Sequence, residues 1–137
     1  MRDYDAELKD NQGRQYFYGF DYDVMHPYMI QSFRPFLRGE KMLELGSHYG
    51  NFTKLLVEEC NEVTCVEASG EAVSKATSLL GEKVRIMHST FEAIELEEKY
   101  DNIVMTHVLE HLDDPVSVLS RINNEWLADD GLFLLVC

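Results

Sequence analysis

Positive charge is what this sequence has least of. Twelve Lys and Arg face 25 Asp and Glu over 137 residues, a formal net charge of −13 at pH 7. That balance argues against a surface that grips nucleic acid by neutralising phosphates. No apolar run approaches the ~20 residues of a membrane span, and no signal-peptide segment follows Met1. Cysteines are few. Cys60, Cys65 and Cys137 are an odd number without disulfide or zinc spacing. Cys65, inside an apolar run, reads as a small core residue, and the expected compartment is the reducing cytoplasm. There is no internal repeat, low-complexity tract or linker. What is present is ordinary for one globular domain: 45% hydrophobic and 27% charged residues, in a chain long enough to bury roughly two-thirds of its unfolded surface.

Residues 1–20 start polar and turn aromatic at Tyr16, Phe17, Tyr18 and Phe20. They predict a flexible N-terminal arm, with docking rings or a lid as its two roles. The domain proper is expected over 21–137. Met25, Met29, Phe33 and Phe36 mark one face of a helix over about 23–37, with Pro27 in its first turn and Gly39 beyond its end. Strands are predicted at 41–45, 63–67, 84–87, 100–105 and 132–136. Helices lie between them, capped by Asn51, by Ser69, and by Asp113 or Asp114 ahead of Pro115. Val116, Leu119, Ile122 and Trp126 are the expected inner face of the last helix, and Gly131 the break after it. Alternating strands and helices with nearly continuous apolar strands give an α/β fold. Its sheet is parallel and doubly wound (Rossmann-like), with helices on both faces. Ligands in such folds bind beyond the strand C-termini, where the strand order reverses.

The segment Leu43-Glu44-Leu45-Gly46-Ser47-His48-Tyr49-Gly50-Asn51-Phe52 is a strand, a glycine turn and a helix start. It fails a dinucleotide G-x-G-x-x-G pattern at His48 and Asn51, and it lacks the Lys-Ser/Thr pair of a phosphate loop. Glu67, at the end of the second strand, lies 21 residues beyond Gly46. In a doubly wound fold that position faces a ribose, whose hydroxyls a carboxylate can accept. A carboxylate that merely starts the next helix is the alternative.

The glycine segment resembles motif I (E/D-x-G-x-G-x-G) of the class I S-adenosylmethionine-dependent methyltransferases. Glu44, Gly46 and Gly50 match, and His48 replaces the middle glycine. Residues 100–115, Tyr-Asp-Asn-Ile-Val-Met-Thr-His-Val-Leu-Glu-His-Leu-Asp-Asp-Pro, resemble motif IV and its loop. They are most similar to the small-molecule branch related to ubiquinone-biosynthesis methyltransferases. Trp126–Val136 resembles the segment leading into the fifth strand, with Ala128, Asp129 and Asp130 departing from its usual residues. The resemblance covers about 21–137 and implies the strand order 3-2-1-4-5. It implies that Glu44 and the turn Gly46, Ser47, His48, Gly50 and Phe52 meet the methionine part of S-adenosyl-L-methionine. Glu67 would hold the ribose, Ala68 would flank the adenine, and backbone groups of Ser89, Thr90 and Phe91 would read it. Thr106 and His107 would line the site, with His107 the candidate catalytic base. His26 and Tyr22 are further candidates to close over it.

The family's final strands and hairpin are missing from the pattern. This points to an incomplete chain or to a homodimer covering the exposed edge 132–136. The expected function is methyl transfer to a small molecule by in-line displacement, with no nucleic-acid or membrane partner. The rival from another class is a degenerate or truncated cofactor-binding or scaffold domain without activity. A third reading takes His107, Glu110 and His111 as metal ligands, as in small-RNA 2′-O-methyltransferases. The reading adopted assigns no metal.

Overall fold

The strands are β1 (Lys41–Leu45), β2 (Glu62–Glu67), β3 (Val84–His88), β4 (Tyr100–Thr106) and β5 (Leu127–Val136). They form one sheet in the order β3-β2-β1-β4-β5, and every pairing is parallel. This computed structural model describes residues 1–12 and 21–137. The order reverses between β1 and β4, so the crevice of a doubly wound sheet opens above these two strands. The helices are α1 (Tyr4–Gln12), α2 (His26–Phe33, entered through a π-helical turn Asp21–Met25), α3 (Thr53–Leu56), α4 (Gly70–Leu80) and α5 (Pro115–Arg121). A second π-helical turn, Ile122–Trp126, extends α5. No helix among the described residues is long and apolar enough to cross a membrane.

Two apolar layers flank the sheet because alternate side chains of a strand face opposite ways. Met42, Val63, Cys65 and Val104 meet Met29 and Phe33 of α2, Leu56 of α3, and Ala76 and Leu80 of α4. Leu43, Leu45, Val66, Ile103 and Met105 meet Val118, Ile122 and Trp126 on the other side. Trp126 is wholly buried; truncating such a ring costs about 3–5 kcal/mol.

Several local expectations change. The segment Tyr4–Gln12 is helical and packs against α4, with Leu8 buried, where the sequence predicts a flexible arm. Asp3 starts it by accepting the Ala6 N–H at 3.0 Å. The aromatic residues 16–20 lie outside the described residues. Helix α2 stops at Phe33, and Phe36 is 56% exposed. Asn51 caps nothing: the short α3 starts from Phe52 without a side-chain cap. Ser69 and Asp114 do cap, accepting the N–H groups of Ala72 and Ser117. The inner face of α5 is Val118, Ile122 and Trp126, while Val116 is 71% exposed. Leu119 packs against the same layer, so of the expected stripe only Val116 turns outward and Val118 takes its place. Gly131 lies inside β5, at a bulge where Tyr100↔Leu127 is followed by Asn102↔Leu132. A Cβ there would stand 2.9 Å from the Tyr100 carbonyl oxygen.

Candidate functional site

The turn after β1 is built by backbone geometry that side chains resist. Gly46 has φ +84° and donates its N–H to the Val66 carbonyl at 2.9 Å. A Cβ on Gly46 would lie 2.5 Å from Val108 Cγ2, so the loop after β4 packs directly on the turn. The Gly50 N–H bonds the Ser47 carbonyl at 2.9 Å. Gly50, with φ +84°, leaves room for Leu80 and Ala76 of α4. His48 has φ +49°. The left-handed backbone therefore persists where the motif usually has glycine, and histidine is among the residues that tolerate it. The ring remains exposed, yet the crowding around it and the Lys75 charge lower its pKa. It packs on Tyr49 at 3.9 Å between centroids.

Glu67 ends β2 beside this turn. Its Oε2 accepts the His48 N–H at 2.8 Å, and its Oε1 accepts the Ser69 N–H at 2.9 Å. A carboxylate has about four lone-pair sites, so two stay available for further donors. Sequence spacing and structure thus bring the acid and the glycine turn together at the carboxyl edge of the sheet. Ala68 follows, its carbonyl 3.1 Å from His88 Nε2.

Glu44 is displaced from its expected role. It is 1% exposed and points into the layer beneath the turn. There its Oε2 accepts from Thr53 Oγ1, and the Cys65 thiol lies 3.3 Å away. Burial pushes its pKa up to about 7, against the downward pull of the Thr53 and Cys65 bonds. It braces β1 to α3 from below. Cys65, also buried, has its thiol pKa raised first by burial and then by Glu44, while the Thr53 and Ser47 hydroxyls oppose the rise. Ser47 Oγ is buried without a hydrogen-bond partner of ordinary geometry among the described residues. The Phe52 ring is 5% exposed and sits in the core, edge-on to Phe33 and 5.1 Å from His26. It supports the turn rather than offering an open face to a ligand.

Beyond β3, the Ser89 N–H bonds the Glu67 carbonyl at 3.1 Å. The Thr90 carbonyl takes the Ile94 N–H at 3.0 Å and the Ser89 hydroxyl at 3.1 Å. The Phe91 ring is in the opposite core layer, and its carbonyl accepts from Arg121 Nη1 at 2.6 Å. The carbonyls expected to read a base at Thr90 and Phe91 are already engaged. Arg121, which sequence reasoning missed, also bonds the carbonyls of Glu92 and Ile94 and so shapes this loop. Its only sequence signal is its place in the last turn of α5.

Thr106 ends β4, and His107 follows with φ +53° and its N–H bonded to the Val136 carbonyl at 2.7 Å. The imidazole is half exposed, its Nδ1 4.0 Å from Glu110 Oε1. The three-residue turn Leu109–His111 does not continue one helix through His107. Among the described residues no three His, Cys, Asp or Glu side chains are grouped to hold a metal ion.

Comparison with known proteins gives this arrangement a family. A family model described as "Methyltransferase domain" matches residues 43–133, which run from β1 into β5. An uncharacterized methyltransferase of Geobacillus thermodenitrificans is 34% identical over 113 residues, 82% of this chain and 49% of that protein. The chain spans about half the length of the curated relatives it matches. Among solved structures, DhpI in complex with SAH superposes with a TM-score of 0.78 at 20% identity, covering 96% of this chain and 64% of that one. Coclaurine N-methyltransferase bound to N-methylheliamine and SAH gives 0.69 at 23% identity, covering 83% and 35%. At these identities the superpositions speak for the fold. With the family match and the order β3-β2-β1-β4-β5, the chain belongs to the methyltransferase-domain family, in the class I superfamily that its motifs resemble.

Proposed function

We propose that this domain binds S-adenosylmethionine at the carboxyl edge of β1, β2 and β4 and serves methyl transfer to a small-molecule acceptor. The observation that carries the reading is the placement of Glu67 against the glycine turn, through the His48 N–H bond of 2.8 Å. The fit of the residues to such a group supports it. The Gly46–Gly50 turn brings the His48 N–H onto Glu67, and Glu67 retains lone pairs for two ribose hydroxyls. When bound, the cofactor supplies a methyl group already activated by a positive sulfur.

The chain's own residues then have modest work. They hold the acceptor at about 3–3.5 Å and in line, exclude water, and take a proton where the nucleophile carries one. His107, half exposed at the end of β4, is the residue placed to accept that proton. The acidic composition and a neighbour bound to N-methylheliamine favour a small acceptor over nucleic acid. The test is calorimetric titration of S-adenosylmethionine and S-adenosylhomocysteine against wild type and Glu67→Ala. Saturable binding that the variant weakens is expected; no heat from either ligand with folded wild type leaves only the scaffold reading.

A further inference from the structure

The start of helix α1 lies across the rim that holds the proposed site, and residues 2–7 fasten it there on two sides. On one side Asp5 Oδ1 accepts from Ser69 Oγ and from the Glu71 N–H at 3.1 Å, at the start of α4. Those two bonds hold the Asp5 carboxyl below its ordinary range. Asp5 Oδ2 and the His88 ring flank Gly70, where a Cβ would stand 3.8 Å and 3.2 Å from them. On the other side Arg2, just ahead of the helix, grips Glu7 through Nε and Nη2, at 2.6 and 2.9 Å, and reaches Asp113 through Nη1 at 3.1 Å. Residues 2–7 thus touch the loops after β2 and β4 and lie near the end of β3. Between these loops stands the Gly46–Gly50 turn.

Asp5 also joins the site itself. Ser69 donates its hydroxyl to Asp5 and its N–H to Glu67, and Glu67 accepts the His48 N–H. One hydrogen-bond chain therefore runs from the first helix to the glycine turn, through the carboxylate assigned to the ribose. We propose that α1 is a strap that closes over the nucleoside, and that Asp5 is a positioning residue acting through Ser69 on Glu67. The inference rests on the reading of Glu67 as the ribose carboxylate. The fastenings suit a part that must open. The Arg2–Asp113 pair is open to solvent on the Asp113 side, so it loosens with salt, and no apolar side chain of α1 other than Leu8 is buried. The ligand would then enter with α1 displaced and be retained once Asp5 docks.

The test uses the whole chain and S-adenosylhomocysteine as probe, with association and dissociation rates measured by stopped flow for wild type, Asp5→Ala, Asp5→Asn and Arg2→Ala. Asp5→Ala should release the ligand about tenfold faster, the effect of losing one hydrogen-bond acceptor, with little change in association rate. Asp5→Asn keeps an acceptor for Ser69 and Glu71 and should restore slow release. Amide exchange over Tyr4–Gln12 should slow when ligand is added to wild type and not to Asp5→Ala. A wild-type release rate in Asp5→Ala overturns the strap and leaves the Glu67 reading standing. Faster association with tighter binding in Asp5→Ala also overturns it, because α1 would then be an obstruction. Absence of binding by folded wild type overturns both.

Discussion

Glu67 Oε2 accepts the backbone N–H of His48 at 2.8 Å, across 19 residues of chain. The carboxylate that the site needs is therefore also a structural part of the glycine turn. Glu67→Ala removes the acceptor for two N–H groups as well as the proposed ribose contact. Hydrogen bonds to a charged group contribute about 1.5–3 kcal/mol each. Affinity for S-adenosylhomocysteine should fall at least tenfold. Glu67→Gln, which keeps one carbonyl acceptor, should lose less. Calorimetry on both variants checks the ranking; equal affinity in wild type and Glu67→Ala would remove the carboxylate from the site.

Glu44 predicts a pH dependence of stability. Its folded pKa of about 7 exceeds the ordinary glutamate value of 4.5. The folded state thus holds this proton more tightly than the unfolded chain does. Its stabilising contribution is fully present below pH 4.5 and is lost as pH rises through 7. The full span is on the order of 3 kcal/mol. Glu44→Gln should remove that slope, so that the urea midpoints of the variant and wild type converge at acid pH and separate in the variant's favour at pH 8. Parallel pH profiles would mean that Glu44 does not titrate in this range.

Gly46 and Val108 should behave as a coupled pair. Gly46→Ala forces a Cβ to 2.5 Å from Val108 Cγ2 at φ +84°, and the left-handed backbone alone costs about 1–2 kcal/mol. Val108→Ala clears the contact but not the backbone strain. The double variant should regain part of the loss, and a double-mutant cycle in urea measures the coupling. Strict additivity would show that the loop after β4 does not press on the turn.

His48→Gly tests the departure from the motif. Relief of the φ +49° backbone, about 1–2 kcal/mol, is offset by the extra unfolded-state freedom of glycine, about 0.5–1 kcal/mol. A net gain of about 0–1.5 kcal/mol in urea denaturation is expected. A clear loss would assign the ring a packing role on Tyr49 that outweighs the backbone.

Arg121→Met should loosen the loop after β3. The guanidinium donates to three carbonyls there and lies 4.8 Å from the Trp126 ring centre. Methionine keeps much of the apolar stem and removes the donors. A loss of about 1–3 kcal/mol and faster amide exchange at 90–94 are expected; unchanged exchange would free the loop from Arg121.

The fold was legible because strands buried on both faces write continuous apolar runs, as in Met42–Leu45 and Ile103–Met105. Ser69 and Asp114 announced their helices through local chemistry that tertiary packing did not override. Spacing brought Glu67 to the turn, because a βαβ unit of that length returns the chain to the same edge. The direction of a side chain was less legible. Glu44 reads as a ligand contact in the motif, yet strand alternation sends it into the core. Val116 and Val118 are equally apolar, and only the helix phase chooses between them. The docking of helix α1 was hidden because the bonds that seat it on the rim, Asp5 to Ser69 and Arg2 to Asp113, join residues 64 or more apart.

The alternation of β1 carries one more consequence. Met42 and Glu44 serve one layer, and Leu43 and Leu45 the other. Sliding this central strand by a single position against β2 would thrust an acid among Trp126, Ile103 and Val118 while stranding Thr53 with a leucine. One buried carboxylate thereby acts as a reading-frame marker for the sheet, making the off-by-one pairing a dead end rather than a competitor during folding.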